Sequence, residues 1–406
     1  MIEDRIADRA AFTICACNYL AQALVLRSSF RRQHPDLAFY IVIMGRRDTA
    51  LEASYPEVRL IWVEDIGLPS FAAHSVRFDI IEFSTNVKPY CLMMLLEHHK
   101  QVLYLDPDTC VFDTLTPVYD ELNSWNVVVT PATTTPILDG HRPDDIEFLR
   151  VGVFNLGFIG VASTEEGLRF LRWWSDRCLA YGFHETQTGV FVDQKWVNLA
   201  PCLFSGVKIL KDPGINMAHW NLHERTLSVV DGCYWVNGTV PLRLFHFSSF
   251  DPSQPHRIAN RQTRFAPGNR KDLNEILAKY AEALYSENYE EFSKIDYSFD
   301  YFPSGEYISP TLRRIYANPS YAFDITEDPT SSDSALMKLS RAHGLLGSRV
   351  TKAKRLTAHD IGQYSSYIKI IGFILKILLK LLGANRYFLL MRYLGHVSSI
   401  RNQPPL

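Results

Sequence analysis

The chain has 406 residues with 47% hydrophobic and 13% aromatic content, which is ample material for a core and excludes a disordered or low-complexity protein. Its net charge of −2 hides an asymmetry: from Arg341 to Leu406 eleven Lys/Arg face one acid, Asp360, so that tail carries +10 and the remainder −12. Seven cysteines, an odd number scattered through apolar stretches, show no paired Cys/His spacing of a zinc site and fit buried thiols in a reducing compartment.

The opening segment Met1–Ala10 is charged and lacks an apolar signal core, so a cytoplasmic protein is expected. Phe12–Cys17 is apolar and β-prone and reads as a first strand, with Asn18 and Tyr19 at its carboxyl end. Leu20 to Phe30 carries helical periodicity. Phe39–Met44, closed by Gly45, and Val58–Val63 read as two further buried strands. Strand, helix and strand in this order predict an α/β fold with a mostly parallel, doubly wound sheet. Arg77 to Lys100 reads as helical with a break at Asn86–Pro89, because the residue before a proline avoids helix. Val127–Thr130 is another short strand, and Thr133 to Pro143 has the turn-rich composition of a mobile loop over a site. Phe154–Val161 is a strand holding Gly157 and Gly160, and glycine in a strand marks close approach of a ligand or another backbone. Ser163 and Glu166 form the capping box of a helix that reaches Tyr181. Asp193 stands at the start of a helix over 193–198, and Leu242–Phe247 is a late strand. Around 261–269 the composition turns polar. The expected division there is an α/β domain over 1–265 and a mainly helical region over 266–406, with a basic, apolar segment at 364–395.

The chemistry gathers at Gln101–Phe112. An apolar run climbs to Leu105, and Asp106 and Asp108 follow one residue apart. Alternate residues of an extended segment point the same way. Ligands of open α/β sheets bind outside the carboxyl ends of strands. Two unpaired carboxylates beside a core strand repel each other and resist desolvation. A hard cation such as Mg²⁺ or Mn²⁺, shared with substrate phosphates, removes that problem. The competing reading is a turn in which Asp106 caps a helix and Asp108 is solvated.

Five segments in order then resemble the retaining GT-A glycosyltransferases, closest to family 8 and to its bacterial surface-polysaccharide members. Tyr104–Leu105–Asp106–Pro107–Asp108 is similar to the family's Tyr-Leu-Asp-x-Asp, which holds Mn²⁺ or Mg²⁺ and the donor diphosphate. Phe154–Asn155–Leu156–Gly157 resembles the strand lining the donor sugar, which implies donor contacts at Asn155 and Gly157. Asp193–Gln194 resembles the pair beside the reacting sugar, implying catalytic roles for both. Leu244 to Ser249 resembles the late metal-ligand segment and makes His246 the third ligand. Phe12–Asn18 resembles the strand that meets the base, with Cys17 and Asn18 where the family carries an Asp. The family's later Lys is absent, which leaves Lys88 and His256 as diphosphate contacts. Asn216 to Arg225 reads as a donor or acceptor wall, with His219 and Trp220 facing sugar, or as an ordered surface loop.

The resemblance implies transfer of a sugar from a nucleotide donor, UDP-linked by analogy, to a saccharide or lipid-linked acceptor. It also implies a divalent cation, retention of configuration and a role in surface polysaccharide synthesis. The competitors are a sugar-nucleotide nucleotidyltransferase, which would carry a Gly-rich basic loop after the first strand, and an inactive scaffold. Lys369, Lys376 and Lys380 recur at helical spacing in the apolar tail, which suits peripheral contact with the inner face of an anionic membrane or packing on a second subunit. The tail interleaves its charges with aliphatic residues, so nucleic acid is not the expected partner.

Overall fold

The computed structural model describes residues 8–347 and 365–405. Residues 1–7 of the opening segment and residue 364 of the basic segment lie outside the described residues. Two compact units emerge, Met1–Pro69 with Ile80–Ser298, and Ser70–Asp79 with Phe299–Leu406.

Among the described residues the first unit carries twelve strands. They are β1 (Arg9–Cys15), β2 (Ala38–Ile43), β3 (Arg59–Trp62), β4 (Gln101–Leu105), β5 (Thr109–Val111), β6 (Val127–Pro131), β7 (Phe154–Ala162), β8 (Val207–Ile209), β9 (Leu227–Val230), β10 (Cys233–Val236), β11 (Val240–Pro241) and β12 (Leu244–His246). Seven form the central sheet in the order β3-β2-β1-β4-β7-β6-β8. Every pairing is parallel except the two made by β7. The expected α/β, mostly parallel sheet is therefore present. Strands β2 and β4 are buried along their whole length, which is what a sheet covered on both faces demands. Helix Leu20–Gln33 returns over the sheet and buries Leu20, Leu24, Leu26 and Phe30 in the main core.

Two local expectations shift. The helix after β7 is Glu165–Tyr181, and its cap is Thr164, whose hydroxyl accepts from Gly167 N at 3.0 Å. Ser163 cannot serve, because its amide still bonds Lys100 O at 2.7 Å at the strand end and its hydroxyl bonds Leu96 O. Glu166 pairs with Arg169 instead. The polar stretch near 265 is a loop of the first unit. Helix Asn274–Ser286, beyond it, buries Ile276, Leu277, Tyr280 and Leu284 in that unit's main core.

The second unit has its own apolar core of Val76, Phe302, Ile308, Leu312, Leu336 and Met337. Arg313 staples it. The guanidinium donates to the carbonyls of Ser75, Val76, Phe78 and Phe299 and to the Asp300 carboxylate, at 2.7–3.0 Å. The unit ends in the long helix Ser365–Val397. Among the described residues no helix is long and apolar enough to cross a membrane.

Candidate functional site

Strand register builds the site. Leu105 of β4 lies opposite Phe158 of β7, so the next pair is Asp106 with Gly157, whose carbonyl accepts Asp106 N at 2.8 Å. Phe12 of β1 lies beside Tyr104, so Cys17 and Asn18 leave the same edge of the sheet as Asp106. The chain then turns into β5, and β12 pairs antiparallel with it, His246 opposite Thr109. Phe247 N bonds Asp108 O at 2.8 Å and closes that junction. Asp106, Asp108 and His246 thus converge at the carboxyl edge of the central sheet, as expected of a metal or phosphate site.

Their donor atoms all lie within 4.8 Å of one another. His246 Nε2 is 3.0 Å from Asp108 Oδ1 and 3.7 Å from Asp106 Oδ2. Burial pushes the Asp108 carboxyl up, but the facing His246, with a backbone hydrogen bond and Arg261, holds it below its ordinary value. Burial likewise pushes the His246 imidazole down, and Asp108 more than reverses it. Tyr104, two residues before Asp106 on the same strand face, donates its hydroxyl to Asp106 Oδ1 at 2.6 Å.

The imidazole's orientation follows from one backbone amide. Gly157 N can only donate, and it donates to Asn155 Oδ1 at 3.0 Å. Asn155 Oδ1 is therefore an acceptor, so the Asn216 atom 3.0 Å away is its amide nitrogen, which also reaches Thr130 Oγ1. Asn216 Oδ1 is left facing His246 Nδ1 at 3.2 Å, so Nδ1 carries the proton. Nε2 is the nitrogen turned toward the two carboxylates, donating to Asp108 at 3.0 Å, and loss of its proton would free its lone pair for an ion. Two hard oxygens and one oriented imidazole nitrogen are a donor set that fits Mn²⁺ or Mg²⁺. Gly157 has a steric reason as well. A Cβ there would lie 2.4 Å from His246 Cε1 and 2.8 Å from Asp106 Oδ2. The close approach marked by glycine is thus a side-chain approach, and at Gly160 it is Leu103, 2.7 Å from the Cβ position.

Behind this cluster lies a buried ion pair. Lys88 Nζ meets Asp193 Oδ2 at 2.7 Å, donates to Leu156 O at 2.9 Å and sits 4.2 Å from the Tyr104 ring centre. Lys88 is only 1% exposed and Asp193 2%. The ammonium is thereby engaged within the protein rather than turned to solvent. Burial pushes the Asp193 carboxyl above its ordinary value while Lys88 opposes the rise. Asp193 precedes helix Gln194–Val197, yet its side chain caps nothing there. Gln194 is tied at both ends, accepting from Leu156 N and donating to Val151 O, both at 3.2 Å.

The other expected residues surround or lie beyond this cluster. Cys17 and Asn18 are half-buried in the turn after β1. His219 is buried, and burial pushes its imidazole down to about 3. Trp220 packs among Ala132, Ile137, Phe148 and Ala218 and is 7% exposed. Its ring meets His246 edge-on at 5.0 Å. Trp220 thus packs against the imidazole from a mostly buried position. His256 is exposed. Arg261, an exposed cation on the loop before residue 265, also draws the Asp108 carboxyl down. Sequence reasoning placed Asn216 only in the 216–225 wall and Tyr104 only within the Asp-x-Asp segment, gave neither a role toward His246 or Asp106, and gave none to Arg261. The two-residue period of β4 already aligned Tyr104 with Asp106, whereas nothing local tied Asn216 to His246 or Arg261 to Asp108.

No family model matches the chain. It is 24% identical over 287 residues to YfnF of Bacillus subtilis (strain 168), an uncharacterised protein, spanning 67% of this chain and 90% of that one. It is 22% identical over 245 residues to uncharacterised YfnD of the same strain, covering 59% and 76% of the two chains. Among solved structures it is similar to the galactosyltransferase LgtC in complex with donor and acceptor sugar analogues, at 18% identity and a TM-score of 0.43, over 68% of this chain and 95% of that one. It is also similar to the glycosyltransferase GlyE of Streptococcus pneumoniae TIGR4, at 17% identity and a TM-score of 0.42, over 71% and 66%. At these values the likeness says nothing about chemistry, which has to come from the site.

Proposed function

We propose that this chain is a glycosyltransferase that moves a sugar from a nucleotide donor, UDP-linked in the first instance, to a saccharide or lipid-linked acceptor with the help of a divalent cation. The observation that carries the reading is the oriented Asp106, Asp108 and His246 cluster at the carboxyl edge of the sheet. Those three residues would hold the ion. When bound, a divalent cation offsets the charge that develops on a departing nucleoside diphosphate. Arg261 is a candidate second contact for that diphosphate.

The remaining polar groups suit orientation. Asn155, and Gln194 bonded to Leu156 N of β7, are proposed to border the donor sugar and orient its hydroxyls. Asp193 is held by Lys88 and is poorly suited to attack the anomeric carbon as a free nucleophile. That supports retention by front-face substitution. The anomeric C–O bond to the diphosphate breaks, the acceptor oxygen bonds to the same carbon, and the acceptor proton passes to the departing phosphate oxygen. Seven unbridged cysteines support a reducing, cytoplasmic setting. A role in surface polysaccharide synthesis follows only by analogy.

The test is a panel of nucleotide sugars with Mn²⁺, reading released nucleoside diphosphate with and without EDTA. Release from one donor, lost with EDTA and in Asp108→Asn, is the expected result. No turnover of any donor and no metal-dependent nucleotide binding would move the assignment to an inactive scaffold.

A further inference from the structure

The C-terminal helix Ser365–Val397 is an apolar helix without a buried face. From Ile368 to Val397 no residue is buried, and Leu381, Phe373 and Leu389 are 76%, 65% and 62% exposed. Apolar exposure on this scale needs an occupant. Charge identifies its chemistry. The helix carries five cations, Lys369, Lys376, Lys380, Arg386 and Arg392, and no acid. Two copies packed through their apolar sides would leave these cations without a partner, whereas an anionic surface engages both the apolar side and the cations.

Placement of the cations is consistent with a lipid surface. At 100° per residue, Lys369, Lys376 and Lys380 fall within an arc of about 40°. Isoleucine, leucine and phenylalanine fill most of the remaining circumference. At Gly383 the backbone leaves the helical region, with φ 72° and ψ 165°, and divides the helix into limbs over 365–382 and 384–397. In the second limb Asn385, Arg386, Arg392, Tyr393 and His396 share an arc of roughly 120° that also holds Leu389, with Leu390 and Leu394 outside it. The first limb is about 27 Å long, close to a bilayer core, but three lysines within it oppose spanning. Lysine stems can lie along apolar surface while their ammonium groups reach headgroups. Beyond the helix, Ser399 is buried and Asn318 donates to the carbonyls of Gln403 and Ile400 at 2.9 and 3.4 Å, so the second unit holds the helix's end firmly.

We infer that this helix docks in the headgroup layer of an anionic bilayer, apolar side inward and lysine stripe outward. The inference stands whether or not the chain transfers sugar.

The test uses the full chain and sedimentation with vesicles of phosphatidylcholine alone or of equal parts phosphatidylcholine and phosphatidylglycerol. The expected result is binding at least tenfold tighter to the anionic vesicles and weaker with added salt. Each lysine near such a surface is worth about a fivefold change, so Lys369→Gln, Lys376→Gln and Lys380→Gln together should cost roughly a hundredfold. Phe373→Asp with Leu381→Asp should abolish binding without moving the thermal midpoint. Equal binding to both compositions would overturn the charge recognition. No binding to either, or a dimer in analytical ultracentrifugation that Phe373→Asp dissolves and vesicles do not, would overturn the lipid surface altogether.

Discussion

Gly157→Ala puts the least possible matter into the site. The new methyl carbon would stand 2.4 Å from His246 Cε1, 2.6 Å from Nδ1 and 2.8 Å from Asp106 Oδ2. Carbon contacts settle near 3.5–4.0 Å, so about 1 Å of movement is required. The imidazole has little room to move, being 3% exposed with Trp220 edge-on at 5.0 Å. A shift of that size breaks the 3.2 Å bond to Asn216 and the 3.0 Å approach to Asp108. Losing such an orienting contact lowers metal affinity by about 10–100-fold, and the overpacking costs about 1–3 kcal/mol of stability. Calorimetric titration with Mn²⁺ reads the first quantity, and thermal unfolding reads the second. Gly160→Ala is the control. Its methyl meets the end of the Leu103 side chain at 2.7 Å, so it should cost stability alone. A Gly157→Ala protein that binds Mn²⁺ as tightly as the parent would refute the cradle, whatever its stability.

Three further outcomes are expected. Asn216→Ala removes the acceptor that fixes the His246 tautomer, so Mn²⁺ affinity should fall about 10–100-fold, with Thr130→Val having a smaller effect. Lys88→Met leaves Asp193 buried and unpaired and should destabilise the fold by about 3–5 kcal/mol. Adding Asp193→Asn should restore most of that in urea unfolding, and failure to do so would mean the two side chains act separately. His74 is buried in the second unit, and burial pushes its imidazole from 6.5 down to about 4. Between those values the unfolded chain binds the extra proton, so stability is full above pH 6.5 and falls as the pH drops toward 4, by about 3 kcal/mol at most. A His74→Gln protein whose thermal midpoint declines as steeply over that window would assign the acid sensitivity to other groups.

The sequence alone determined the α/β class and the elements that carry the site. Their signals are local: buried apolar runs for the strands, Asp106 and Asp108 at a strand end, glycines at 157 and 160. It also singled out His246 and the Asp193–Gln194 pair, through the order of five segments and not through any property of the residues taken one at a time. The helix cap at Thr164 was missed by one residue, because the strand's last bond, Ser163 N to Lys100 O, is made to a distant segment. Only tertiary structure decided what each polar side chain faces. Lys88 reads as a solvated or phosphate-binding lysine, and the packing of β7 brings Asp193 and Leu156 O around it. Trp220 reads as a sugar wall, and a small apolar cluster packs around it. The proton on His246 is set by a chain of bonds running from Gly157 N through Asn155 to Asn216. Periodicity and composition report which way a residue faces within its own element. The partner across the gap belongs to another part of the chain, and it is pairing and burial that bring it there.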